Sequence, residues 1–369
     1  MTHIKVYPFT AIVGQELMKL ALILNAINHK IGGVLIKGTK GTAKSTAVRA
    51  LADLLPDRRV VKTCPFNCNP DDVKEACHLC QQKIMNNSLQ EDDIVQSPMR
   101  VINLPINATE DRVVGTIDIS KALKKGIKAL EPGILAEANR NILYIDEVNL
   151  LADNVADVLL DSAAMGLNII EREGISIHHP ANFILVGTMN PEEGNLRPQL
   201  LDRFGLSVLA KPIKDIEKRV KIIKYNEEYQ ENPDKFIEKF EKRQKELKQQ
   251  IIQAKKNLKT VSISEKNLKK IAQISVKLDI ESHRADITIN RAAKTIAAFE
   301  GRKKVIEEDI KKAAKLALAH RIRKLPFEDE KLEEDQIEDI LEELKNNKNQ
   351  KKTKNQEPNE LEQAPQENL

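Results

Sequence analysis

The chain has 369 residues, enough for two or three domains and a sizeable buried core, and its 41% hydrophobic and 31% charged residues fit a soluble globular protein. Its 59 basic and 55 acidic side chains leave a net charge of only +4, so bulk charge selects no particular partner, nucleic acid included. Aromatic residues at 3%, with no Trp, argue against a base-stacking platform for single strands, and no apolar run approaches the ~20 residues of a membrane span.

The opening residues, Met1-Thr2-His3-Ile4-Lys5, lack a basic region followed by an apolar core, so no secretory signal is expected and the compartment inferred is the cytosol. Residues 1–212 alternate short apolar runs with helical periodicity. The runs Gly33-Val34-Leu35-Ile36, Ile142-Leu143-Tyr144-Ile145 and Phe183-Ile184-Leu185-Val186 are β-branched and end in polar or glycine-containing turns, as buried parallel strands do. Amphipathic helices are expected at 17–28 and 155–165, and strands alternating with helices predict a parallel α/β sheet. Within this core, 112–133 reads as a strand followed by a short helix and 168–177 as a hairpin around Gly174. Residues 213–327 read as helical throughout, with a long exposed helix at 236–258 and packed helices at 268–278, 288–299 and 307–318. Beyond Pro326 the chain is acidic and then rich in Lys, Asn and Gln. In this tail, 328–369, Leu332, Ile337, Ile340, Leu341 and Leu344 suit one short helix, and 346–369 is expected to be disordered.

The strongest local signal is Gly38-Thr39-Lys40-Gly41-Thr42-Ala43-Lys44-Ser45, followed by Thr46, between the first strand and the helix after it. It matches the phosphate-binding pattern G-x-x-x-x-G-K-S/T except that Ala43 replaces the second glycine. Such a loop turns backbone N–H groups and a helix N-terminus toward phosphates, with Lys44 for the β- and γ-phosphates and the Ser45 hydroxyl for Mg²⁺. Ala43 is tolerable there as long as it avoids positive φ. Asp146 and Glu147 end an apolar strand, where parallel sheets place their ligands. Asp146 suits Mg²⁺ through water, and Glu147 suits polarisation of an attacking water. Asn190, at the end of the third run, can orient that water or simply start the turn before Pro191. Arg203, in Leu200-Leu201-Asp202-Arg203-Phe204-Gly205, can project toward a neighbouring subunit's γ-phosphate or close an intramolecular salt bridge.

The four cysteines fall within seventeen residues, as Cys64-x₃-Cys68 and Cys77-x₂-Cys80. This suits a compact knuckle around tetrahedral Zn²⁺ or, less directly, an iron–sulfur cluster; reduced thiols and redox switching are the alternatives, and His78 reads as a bystander.

Together these elements resemble the AAA+ superfamily, and Tyr7-Pro8-Phe9 with Ile12-Val13-Gly14-Gln15 looks like its adenine-side segment. The stretches Val114-Gly115-Thr116-Ile117-Asp118, Glu131-Pro132-Gly133 through Leu151, Glu171-Arg172-Glu173-Gly174-Ile175-Ser176 and Gly187 to Gly205 are similar to the ATPase subunit I of magnesium chelatase. The likeness covers roughly residues 4–325. It implies an AAA+ P-loop α/β core with a C-terminal helical lid, hydrolysing ATP with Mg²⁺ in a homo-hexameric ring. It further implies Lys44 and Ser45 as Walker A residues, Asp146 and Glu147 as Walker B, Asn190 as the first sensor and Arg203 as the arginine finger. Arg284 looks like the second sensor, reaching the nucleotide from the lid. The family's partners are an AAA+ subunit with an integrin-I-like domain and a large tetrapyrrole-binding subunit that inserts the metal. The inserts at 112–133 and 168–177 can merely cover the sheet; the resemblance implies instead that they line the ring and grip other subunits. Related readings are a cobalt chelatase motor, a MoxR-like maturation chaperone and a nucleic-acid translocase; acidic Glu171 and Glu173 in the hairpin speak against the last.

Overall fold

The structure, a computed structural model, describes residues 5–117, 130–172, 175–194 and 196–322. The tail at 328–369 and most of the helix expected within 112–133 lie outside the described residues.

Strands β1 (Val34–Lys37), β4 (Val101–Leu104), β7 (Ile142–Ile145), β10 (Ile184–Met189) and β11 (Leu206–Leu209) form one sheet in the order β11-β1-β10-β7-β4. Every pairing in it is parallel, with Val34 opposite both Val186 and Leu206. β7 and β10 are buried along their whole length, which is why they read as continuous apolar runs rather than alternating ones. The strand period of two then splits them between two cores. Val34, Ile36, Ile142, Tyr144, Ile184 and Val186 face one side, against helices Glu16–Ile27 and Lys44–Leu54 and the C-terminal helices. Leu35, Leu143, Ile145 and Leu185 face the other, against helix Asp153–Met165 and Phe204.

The remaining strands form two-stranded antiparallel ribbons: β2 (Arg58–Val61) with β3 (Ile94–Ser97), β5 (Gly115–Ile117) with β6 (Leu130–Pro132), and β8 (Leu167–Arg172) with β9 (Ile175–Pro180). The last is the hairpin expected at 168–177. It begins earlier and ends later because Leu167 pairs with Pro180.

Helices Ile216–Glu231, Pro233–Asn257, Glu265–Lys277, His283–Phe299 and Glu307–Leu318 follow. The helix expected to be exposed at 236–258 is exposed along most of its length but buries one face. Phe236, Phe240, Ile251 and Ala254 are buried on one face, and the two phenylalanines pack with Tyr7, Ala11, Tyr225 and Tyr229 near the start of the chain. A Lys/Glu background hides this stripe in composition, but its helical spacing marks it. The C-terminal helices share a core with the sheet, and Asn28 Nδ2 donates to Thr295 Oγ1 at 3.2 Å across the junction.

One close approach fixes where the strand into β11 starts. A Cβ on Gly205 would stand 2.0 Å from the carbonyl oxygen of Ile31. Gly205→Ala should therefore destabilise the chain by about 2 kcal/mol through forced backbone separation, read as a lower denaturation midpoint in nucleotide-free protein. An unchanged midpoint would mean the two segments separate freely.

Candidate functional site

The phosphate-type loop leaves β1 at its carboxyl end. Gly38 has φ +152°, and a Cβ there would lie 2.7 Å from the Ala210 carbonyl oxygen, so glycine is what lets the loop pass the end of β11. The Gly38 N–H donates to Met189 O at 3.1 Å, tying the loop to β10. Lys44 opens helix Lys44–Leu54, and its ammonium donates to the carbonyls of Gly38 at 2.5 Å and Thr39 at 2.9 Å. Burial lowers its pKa from the ordinary lysine value. Thr42 Oγ1 donates to Thr39 O at 2.9 Å and closes the turn.

Asp146 and Glu147 follow β7 on the same sheet edge. Asp146 Oδ1 accepts from Tyr144 Oη at 3.0 Å and from Thr188 Oγ1 at 2.5 Å, and Thr188 Oγ1 in turn accepts from the Glu147 N–H at 3.3 Å. Burial raises the Tyr144 phenol to about 12, so it stays a donor to the carboxylate. Glu147 sits in left-handed backbone, φ 55° and ψ 55°. Lys40 spans the gap between loop and acids, 2.9 Å from Glu193 and 3.8 Å from Glu147. The hydrogen bond between Lys40 and Glu193 raises the lysine's pKa and lowers the carboxylate's. Asn190 Oδ1 accepts from the Glu192 N–H at 3.3 Å and lines the same cavity. Sequence reasoning missed Tyr144 and Thr188. Tyr144 had a signal, since it stands on β7 two residues before Asp146, at the spacing that puts side chains on one face; Thr188 had none before the pairing of β7 with β10 was known.

Two cavities meet at this loop. One of ≈ 440 Å³ is lined by Lys44, Ser45, Asp146, Glu147, Thr188 and Asn190. The other, of ≈ 480 Å³, is lined by Tyr7, Ile12, Val13, Ile213 and Ile222, and Lys40 to Ala43 and Thr46 belong to both. The pair offers a polar, phosphate-sized half joined to a mainly apolar half. Ser45 and Asp146 stand on the same polar cavity, a hydroxyl and a carboxylate of the hard oxygen type that Mg²⁺ takes.

Arg203 and Arg284 are elsewhere. They line a third cavity of ≈ 420 Å³ together with Gly32, Gly166, Asn182 and Gly205, and it shares no residue with the other two. Gly32, Asn182 and Gly205 lie just before β1, β10 and β11, so this cavity is at the amino ends of the strands. A four-residue strand is roughly 13 Å long, so the fold does not bring Arg284 to the loop of its own chain. Arg203 forms a salt bridge with Asp161, one form of the intramolecular alternative, whereas Asp202 is held by Arg321 at 2.9 Å, Ser282 at 3.1 Å and Arg284 at 3.5 Å. Cys64, Cys68, Cys77 and Cys80 come together outside all three cavities, their sulfurs within 4.8 Å of one another.

Ala43 departs from its sequence expectation. Its backbone is left-handed, φ 61° and ψ 24°, the region that alanine was expected to avoid. Left-handed backbone costs an alanine about 1–2 kcal/mol, whereas glycine's added freedom in the unfolded chain offsets only about 0.4–1 kcal/mol. Ala43→Gly should therefore raise the stability of nucleotide-free protein by about 0.5 kcal/mol or more. Denaturant titration would count against this strain if it showed a loss.

The sequence profile of magnesium chelatase, subunit ChlI, matches residues 115–214, and that of the AAA lid domain matches residues 268–340. A magnesium-chelatase subunit ChlI homolog of Methanocaldococcus jannaschii is 58% identical over 344 residues, covering 93% of both chains. The magnesium-chelatase subunit ChlI of Mesostigma viride is 55% identical over 88% of this chain and 89% of its own. Among solved structures, a chain from a complex between the magnesium chelatase subunits BchI and BchD aligns with a TM-score of 0.53 at 44% identity, over 87% of this chain and 98% of that one. A phosphate loop and an acidic pair at one edge of a parallel sheet, a helical lid, and these likenesses over nearly the whole described length place the chain in the family of magnesium-chelatase ChlI subunits, which are AAA+ ATPases.

Proposed function

We propose that the chain is the ATP-hydrolysing motor of a metal chelatase complex, working as a homo-hexameric ring in the cytosol. The observation that carries this reading is the division of the site between opposite ends of one sheet. The loop and acids stand at the carboxyl ends of the strands and the two arginines at the amino ends. One chain cannot close its own site. A head-to-tail ring can, because each subunit then offers its arginine face to the next subunit's loop.

The substrate is ATP with Mg²⁺. The backbone N–H groups of Gly38 to Ser45 and the start of helix Lys44–Leu54 receive the phosphates, and Lys44 exchanges its two carbonyl partners for phosphate oxygens. Ser45 and Asp146 hold the Mg²⁺, which offsets phosphate charge. Tyr144 and Thr188 fix the Asp146 carboxylate for that task. Glu147 takes the proton of the attacking water, and Asn190 orients that water. Arg203 exchanges Asp161 for the neighbour's γ-phosphate, and Arg284 acts beside it across the same boundary rather than within its own chain. An arginine used this way is worth about a thousand-fold or more in rate.

The relatives named as magnesium-chelatase subunits, and BchI in a complex with BchD, support a partner subunit; the family resemblance adds that the partners are an AAA+ subunit with an integrin-I-like domain and a large tetrapyrrole-binding subunit on which Mg²⁺ enters protoporphyrin. The residues proposed here handle nucleotide, so the metal inserted is chosen by the partner, and a cobalt-inserting complex would use the same motor.

Glu147→Gln and Arg203→Ala should each bind ATP and turn it over at least about a hundred-fold more slowly. Mixed in equal amounts they should regain turnover, because hybrid interfaces pair an intact Glu147 with an intact Arg203. Full activity of Arg203→Ala alone would sink the shared site. Affinity capture from native extract with ATP should recover both partner subunits; an unrelated metalloenzyme in their place would leave the ATPase standing and move its service to maturation.

A further inference from the structure

The segment from Val61 to Leu89 has only a small apolar core of its own. Among the described residues its own apolar cluster contains five buried side chains, Val61, Cys68, Ala76, Cys77 and Cys80, three of them cysteines. A core that small is of the kind that disulfides or a metal commonly reinforce. The four thiols converge as such a clip would. Cys68, Cys77 and Cys80 are buried, Cys64 is half-buried, and all four sulfurs lie within 4.8 Å of one another.

The spacing distinguishes the candidates. Four thiolates about 2.3 Å from a tetrahedral Zn²⁺ stand about 3.8 Å from each other, and Cys64 Sγ and Cys77 Sγ are 3.8 Å apart. A disulfide joins sulfurs at about 2.0 Å and would leave the other pair without a role. An iron–sulfur cluster ties its thiolates to different irons and needs a wider frame than this one. The Cys77 N–H already donates to Cys68 Sγ at 3.1 Å, the outer support that metal-bound thiolates receive. His78 takes no part; its ring meets Gln82 instead.

What the knuckle touches gives it a task. The ring of Phe66, between Cys64 and Cys68, stacks on the His179 imidazole with centroids 4.6 Å apart and planes at 22°. His179 is buried at the base of the β8–β9 hairpin, bonded to Asn168 at 2.9 Å and to Pro180 O at 3.0 Å. On the other side Asn139 donates to Phe66 O at 2.5 Å and Arg140 to Asn67 O at 3.0 Å, just ahead of β7 and its acidic pair.

We propose that Cys64, Cys68, Cys77 and Cys80 hold one structural Zn²⁺ and that this knuckle braces the base of the β8–β9 hairpin against the entry to β7. Binding deprotonates the thiols, one Zn²⁺ displacing four protons in all, with no change of oxidation state. The site stands apart from nucleotide chemistry and does not rest on the motor reading.

The full chain, produced with zinc and purified without chelators, should contain one Zn²⁺ per chain by elemental mass spectrometry. Cobalt(II) in its place should give the visible absorption of a tetrahedral tetrathiolate, and Cys68→Ser should lose the metal. Phe66→Ala keeps every ligand, so it should retain zinc while amide hydrogen exchange across 167–180 speeds at least about tenfold relative to helix Glu307–Leu318. Folded protein with four titratable thiols and no zinc after resupply would overturn the site, as would stoichiometric iron. Zinc present but exchange across the hairpin unmoved by Phe66→Ala would overturn the brace.

Discussion

Everything at the nucleotide site follows from the polarity of the five-stranded sheet. Because all its pairings are parallel, every loop that leaves a strand emerges on one edge and every loop that enters does so on the other. Lys44, Asp146, Glu147 and Asn190 share the first edge, and Arg203 shares the second with Gly32, Asn182 and Gly205. The extended length of the strands holds the two edges apart by roughly 13 Å. No side-chain rotation crosses that distance. The separation that makes one chain incomplete is therefore built into the sheet itself, and it makes assembly a condition of chemistry on the reading proposed above.

The helical region is joined to both edges. Ile222 and Ile223, on helix Ile216–Glu231, line the nucleotide cavity, whereas the far end of the helical region grips the loop that carries Arg203. The Arg321 guanidinium, with only 4% of its side chain exposed, donates to Asp202 Oδ1 at 2.9 Å and to the carbonyls of Asp202, Phe204 and Gly205 at 2.8, 2.9 and 3.1 Å. His320 adds Nε2–H to Phe204 O at 2.9 Å; burial keeps its imidazole well below the ordinary histidine pKa, so the ring is neutral and this nitrogen is the donor. A planar fork with that many partners fixes a loop in place far better than a point charge would. Asp202 collects Arg321, Arg284 and Ser282, so a shift of the lid carries the arginine-bearing loop with it.

Much of this was legible in the sequence because it is local. Strands buried on both faces leave unbroken apolar runs, and the Gly38–Ser45 loop and the Asp146–Glu147 pair each declare themselves within a few residues. The four cysteines were close enough for their convergence to be expected. What was hidden depends on pairings between segments far apart in the sequence. Thr188 reaches Asp146 only because β10 lies beside β7, and Arg321 reaches Asp202 from 119 residues away. The salt bridge of Arg203 with Asp161 has the same cause. Arg284 was misplaced for a related reason, since a motif names a residue type but not the sheet edge on which the lid sets it.

Two strained residues flank the place where phosphate would bind, and their strain has a common logic. Ala43 and Glu147 both adopt left-handed backbone without being glycine. Ala43 does so as the residue before helix Lys44–Leu54, where that conformation helps turn the loop's N–H groups inward. Glu147 does so with its N–H on Thr188 Oγ1, which sets its carboxylate within 3.8 Å of Lys40. Such conformations persist only where neighbours over-determine them. Here the neighbours are the end of β10 and the first turn of a helix, both regular elements. The site is therefore arranged in advance for an anion, and most of the reorganisation left to a bound phosphate lies in Lys44 and Lys40, whose ammonium groups are engaged by carbonyls and carboxylates.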